Sequence, residues 1–155
     1  MATAQRPQPR PLRRTRDMSL PVAETSASPL DASRPFEELI DMARRYLDML
    51  HACDADAVDR LFHPTAQLCT LESGRPVFRS VPEYKAVLRA RTAPKSLGAP
   101  RDEQIITLDL SSPSQALIKL RVRINQLVFV DYLTLARLAE GWRIVSKTYY
   151  RLSDA

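Results

Sequence analysis

Apolar residues Phe36, Leu39, Ile40, Ala43, Leu47 and Leu50 recur at helical spacing, which predicts an amphipathic helix starting near Ser33 with Pro35 in its first turn. Tyr46 lies at the edge of that stripe, in line with Met42, Leu39 and Leu50. Asp54 is placed to cap a second, short helix whose buried face is Ala57, Val58, Leu61 and Phe62. His63-Pro64 ends it, because proline disfavours the helical conformation in the residue before it.

The pattern then changes to strict alternation. Ala66 to Glu72 reads as a strand, Gly74 turns the chain, and Val77 and Phe78 lie on a second strand. Ser80-x-x-Glu83 is a capping box with Pro82 in the first turn, opening a third helix through Tyr84, Val87 and Leu88. A loop follows over 92–102, then strands over 103–110 and 115–125, then a hairpin whose arms meet at Ala139-Glu140-Gly141. In the strand before the hairpin, Ile118, Leu120, Val122 and Ile124 share one face and Lys119, Arg121 and Arg123 the other. One side therefore meets the core and the other is at least partly wet.

The first arm of the hairpin behaves differently. Val128, Val130, Tyr132, Thr134, Ala136 and Leu138 share one face; Phe129, Asp131, Leu133, Leu135 and Arg137 share the other. Neither is polar enough to be bathed in water, so both should be covered. Helices on one side and something else on the other would do so, which suggests a ligand cup and a dimer. The fold class is α+β.

Length and charge narrow the picture. A chain of 155 residues holds one domain with a real core, read as 34–152, behind a disordered basic leader over 1–33 that is rich in Pro and Arg. Most of the net charge of +5 belongs to Arg6, Arg10, Arg13, Arg14 and Arg16; the rest of the chain is nearly neutral. That argues against a nucleic-acid-binding domain. A start of translation at Met18 is the alternative to a functional leader. No apolar run approaches the roughly 18 residues of a membrane helix, so no membrane role is expected. Cys53 and Cys69, in a chain without an export signal, fit reduced thiols in the cytoplasm. With His51 and His63 they match no zinc spacing, and neither metal nor cofactor is expected.

The run from Tyr46 to Pro64, Tyr-Leu-Asp-Met-Leu-His-Ala-Cys-Asp-Ala-Asp-Ala-Val-Asp-Arg-Leu-Phe-His-Pro, resembles the signature of the first two helices of nuclear transport factor 2-like proteins. Leu61-Phe62-His63-Pro64, Arg91, Asp131-Tyr132-Leu133 and Trp142-x-Ile144-x-x-Lys147 look like a narrower branch, the putative lumazine-binding (SnoaL-like, ketosteroid isomerase-like) proteins. The resemblance covers about 36–150. It implies a cone of three N-terminal helices packed on a curved, mostly antiparallel sheet, a pocket between them, and a homodimer. The superfamily includes ketosteroid isomerases, in which a carboxylate base works beside an oxyanion hole of Tyr and protonated Asp. Matching without gaps places Tyr46 at the Tyr, Thr70 at the base and Thr134 at the protonated Asp. A Thr hydroxyl cannot take a proton at neutral pH as a carboxylate does, so that mechanism is not implied and catalytic residues stay unassigned.

The same match turns Val130, Tyr132, Thr134, Val145, Lys147 and Tyr149 toward the pocket. Lys147 between Val145 and Tyr149 would be desolvated, with a lowered pKa and the character of an amine nucleophile or base. Alternatively it snorkels out of the apolar face or pairs with a carboxylate such as Asp131 or Asp109, and by strand parity an Asp131 pair requires a bulge or a neighbouring subunit. His63 is either an acid or base or a helix-closing group. Arg91 either clamps an anionic ligand or satisfies helix-terminal carbonyls. The candidate pocket thus comprises Tyr46, Phe62, His63, Thr70, Arg91, Tyr132, Thr134, Lys147 and Tyr149.

Two functions compete. An apolar cup with a few inward polar groups suits a small apolar or aromatic molecule with an acidic group facing Lys147 or Arg91, in a binding protein or an isomerase, dehydratase or cyclase. The alternative is a non-catalytic dimeric protein-interaction module using an outer sheet face of Phe129, Leu133, Leu135 and Ile144. A cavity filled by its own side chains would favour the second.

Overall fold

The computed structural model describes residues 29–152, so most of the expected basic leader lies outside the described residues. Helix α1 (Pro29–Ala52) begins ahead of the predicted start, and Pro35 falls inside it. Pro29 takes the head of the helix, where a missing N–H costs nothing because the first N–H groups have no intrahelical partner. Leu39, Ala43, Leu47 and Leu50 are buried as the periodicity requires, joined by Met42, Tyr46 and Met49. Phe36, assigned to the same stripe, is exposed.

Asp54 accepts hydrogen bonds from the backbone N–H groups of Asp56 and Ala57, closing the turn into the short helix α2 (Val58–Leu61). Phe62, His63 and Pro64 open strand β1 (Phe62–Glu72) rather than ending the helix. Pro64 cannot donate to a ladder, and the pairing of β1 with its parallel neighbour is interrupted between Phe62 and Gln67. β1 turns into β2 (Arg75–Ser80), and the Ser80–Glu83 capping box starts helix α3 (Val81–Ala90). After a single 3₁₀ turn come β3 (Glu103–Ser112), β4 (Gln115–Ile124), β5 (Leu127–Leu138) and β6 (Gly141–Leu152). The strands form one sheet in the order β2-β1-β6-β5-β4-β3, antiparallel except between β1 and β6.

Which face of the hairpin meets the helices is decided by two local features. Asn125 and Gln126 form a two-residue turn, with Asn125 in the left-handed region at φ 56°. This turn pairs Ile124 with Leu127 and so pairs Leu120 with Asp131 and Ile118 with Leu133. Directly paired residues share a face, so the core side of β4 carries Asp131, Leu133 and Leu135 inward. The second feature is Val145, an extra residue in β6: Leu135 pairs with Ile144, but Thr134 pairs with Ser146. The bulge reverses the parity of the strand, so Ile144 and Lys147 both face the helices.

This register corrects the expected faces. Val130, Tyr132 and Thr134 lie on the side of β5 away from the helices, while Leu133, Leu135 and Ile144 are core, with Phe129 packed against them. They close against α1 through Leu39, Ala43 and Tyr46, forming one continuous hydrophobic cluster with Ile118, Leu120 and Val122 of β4. The wet face of β4 behaves as its charge pattern suggests: Arg121 and Arg123 both bond Asp102.

A candidate ligand site beneath helix 3

At the end of the core nearest α3 the side chains do not fill the space. A cavity of about 560 Å³ remains, walled by Leu50 of α1, Tyr84, Val87 and Arg91 on and just beyond α3, Thr70 and Arg79 of the first hairpin, and Phe129, Asp131, Lys147 and Tyr149 of the last. Its deep side is a charged cluster. Lys147 is 5% exposed and Asp131 1% exposed, and Nζ donates to Asp131 Oδ2 at 2.9 Å. The Tyr46 hydroxyl donates to the same oxygen at 2.6 Å and accepts from Lys147 Nζ at 2.6 Å. Each of the three groups touches the other two.

Aromatic rings surround the ammonium: Nζ lies 4.7 Å from the ring centre of Tyr149, 5.2 Å from Tyr84 and 5.3 Å from Tyr46. Burial works to lower the Lys147 pKa, but the Asp131 carboxylate and its hydrogen bond, with the surrounding phenols, outweigh it and hold the pKa above its ordinary value. Lys147 is therefore an ammonium at neutral pH. The expectation of an activated amine is corrected, and the pairing with Asp131 that required a bulge is made through the bulge at Val145. Burial, then the Asp131 charge, pushes the Tyr46 phenol well above its ordinary value; burial likewise raises Tyr84, so both hydroxyls keep their protons.

Toward the outside the cavity turns cationic. Arg79 donates to the Tyr149 hydroxyl at 2.8 Å and to Glu72 at 2.9 Å. The Arg91 guanidinium lies 5.9 Å from the centre of the Phe129 ring and makes no ion pair with any described residue. Thr70 completes the wall and is nearly buried.

A family model described as putative lumazine-binding matches residues 34–150. The chain belongs to this family. Solved structures agree on the fold. A nuclear transport factor 2-like protein of unknown function from Silicibacter pomeroyi is 21% identical, covering 78% of this chain and 98% of its own, with a TM-score of 0.66. One of the same description from Shewanella baltica is 15% identical over 79% of this chain and 97% of its own, with a TM-score of 0.71. A ketosteroid isomerase-like protein from Erwinia carotovora atroseptica is 14% identical over 76% of this chain and 96% of its own, at 0.59. No curated protein matches.

Within this family member, Thr70, Arg91, Lys147 and Tyr149 of the sequence-derived candidates line the cavity, with Tyr46 bonded beneath it. Phe62 stands behind the floor, its ring 6.2 Å from Tyr46 and 5.7 Å from Tyr84, and supports them without lining the cavity. His63 is bonded to Thr65 at the head of β1 and is not in the wall. Tyr132, under the Lys119 ammonium at 5.0 Å, and the exposed Thr134 are on the opposite side of the sheet. Asp131, Tyr84, Arg79 and Phe129 belong to the wall and were absent from the candidates. The alternation of β4, carried across the Asn125-Gln126 turn, was the signal for Phe129 and Asp131.

Proposed function

We propose that this family member binds a small, mostly apolar or aromatic molecule with an acidic group in the cavity beneath α3, and that it works in the cytoplasm as a homodimer. The observation that carries the ligand reading is the open volume of about 560 Å³ next to the buried Lys147–Asp131 ion pair. Ligand sites of this size, mostly apolar with a few fixed polar groups, are the rule for small molecules. A module that served only to dock proteins would have no reason to keep the space open at the cost of lost packing. Arg91 supplies attraction for an acid, since Arg79 is already paired with the wall residue Glu72. An isomerase, dehydratase or cyclase is the enzymatic form of the reading, with Lys147 acting as fixed positive charge rather than as a nucleophile.

Support for the homodimer is narrower than the expected outer face suggested, because Phe129, Leu133, Leu135 and Ile144 face the helices. Tyr132 and Thr148, beside the buried Val130, are what the outer side offers there. Light scattering of Tyr132→Glu tests it: a dimer that becomes monomeric supports the assignment, and an unchanged mass removes it. The ligand reading is tested by thermal-shift screening of aromatic acids against neutral analogues of the same size. Acids that raise the melting temperature of the protein but not of Arg91→Ala support it. A library without one stabilising compound would count against it.

A further inference from the structure

Two buried polar atoms of the wall residues, Asp131 Oδ1 and the Tyr84 hydroxyl, lack a hydrogen-bond partner among the described residues. Asp131 itself is almost wholly buried. A buried carboxylate oxygen left without a hydrogen bond is costly. Its sister Oδ2 already takes bonds from Tyr46 and Lys147. The wall therefore carries an unpartnered acceptor on its buried side and the unpaired guanidinium of Arg91 elsewhere, with Phe129 and Tyr149 among its lining residues.

We infer that the ligand enters with a neutral hydrogen-bond donor first, an O–H or N–H that bonds Asp131 Oδ1, while its anionic group stays at the rim with Arg91. The inference rests on the ligand reading above and gives that ligand an orientation. An acid turned the other way would meet a carboxylate, because the charge of Lys147 is already committed to Asp131 Oδ2. The substrate class is a flat aromatic or heteroaromatic acid bearing a hydroxyl, amide or lactam N–H opposite its acidic group. Tyr84, whose hydroxyl both donates and accepts, tolerates either kind of neighbour beside that donor.

Calorimetric titration of the full chain with three matched probes tests this: 6-hydroxy-2-naphthoate, 2-naphthoate and 6-methoxy-2-naphthoate. The hydroxy acid is expected to bind at least about tenfold more tightly than 2-naphthoate, with the methoxy acid the weakest, since a bond to a charged partner is at stake. In Asp131→Leu/Lys147→Met, which removes both charges and the acceptor at position 131, the hydroxyl preference should shrink to within about twofold. Equal binding of all three by the unaltered protein overturns the inference, a water serving Oδ1, and leaves the ligand reading standing. A preference that persists in the double variant also overturns it, by removing Asp131 as the acceptor. No binding by any of the three at millimolar concentration overturns both readings.

Discussion

Asp131 and Lys147 meet at 2.9 Å across β5 and β6 because β6 holds one residue more than its partner, Val145, between Ile144 and Ser146. Without it the lysine would lie on the opposite face and leave a buried carboxylate without its cation. Lys147→Met or Asp131→Asn alone should each destabilise the protein by about 3–5 kcal/mol, since each strands a charge in a dry setting. The double variant should cost less than the two losses combined, because no charge is then left alone. Urea denaturation of the four proteins at neutral pH measures this, and strictly additive losses would show that the pair is not coupled.

Tyr46→Phe removes only the hydroxyl that joins the two ions. Asp131 Oδ2 retains Lys147, so the expected cost is about 1–2 kcal/mol, well below that of breaking the ion pair. A loss as large as that of Lys147→Met would mean that the phenol, rather than the ammonium, chiefly stabilises the carboxylate.

Alkaline pH should act on this cluster with a definite sign. The folded-state pKa values of Lys147, Tyr46 and Tyr84 all lie above their unfolded values. At high pH the unfolded chain therefore loses these protons first, and the stability they contribute is complete below about pH 10 and declines as pH rises through the folded values. Denaturant midpoints from neutrality to pH 11 should fall beyond about pH 10, and fall less in Lys147→Met/Tyr46→Phe. Spectrophotometric titration gives an independent check: Tyr46 and Tyr84 should be missing from the phenolate signal of the native protein until it unfolds.

Much of the fold could be read from the chain because its signals are local. The alternation of Ile118, Leu120, Val122 and Ile124, the Ser80–Glu83 box and the Asp54 cap each describe a neighbourhood of a few residues. The site was less legible because it depends on register, which a single residue reverses. Thr134 and Leu133 are adjacent, and the ungapped match to the ketosteroid isomerase pattern turns Thr134 inward where the structure turns Leu133 inward. Leu133→Ala should cost about 2–5 kcal/mol and Thr134→Ala less than about 0.5 kcal/mol. Similar losses at both positions in thermal or urea unfolding would contradict the observed register. Tyr84 and Arg79 carry no such signal: Tyr84 reaches the cavity because α3 packs on β1 and β2, and Arg79 because β2 pairs beside β1 at the sheet edge.

Arg91 offers the cleanest separation of rim from floor. It makes no ion pair with any described residue and no hydrogen bond to the buried cluster, so Arg91→Gln should leave stability within about 0.5 kcal/mol. Its loss should nonetheless weaken 2-naphthoate by about threefold to tenfold, as expected for one partly solvated guanidinium–carboxylate contact. Raising salt from about 50 to about 500 mM should weaken binding to the unaltered protein and change binding to the variant much less, because screening acts on the charge that the substitution removed. Fluorescence titration of 2-naphthoate at the two salt concentrations measures both effects. Identical affinities for the two proteins would place the carboxylate elsewhere in the cavity.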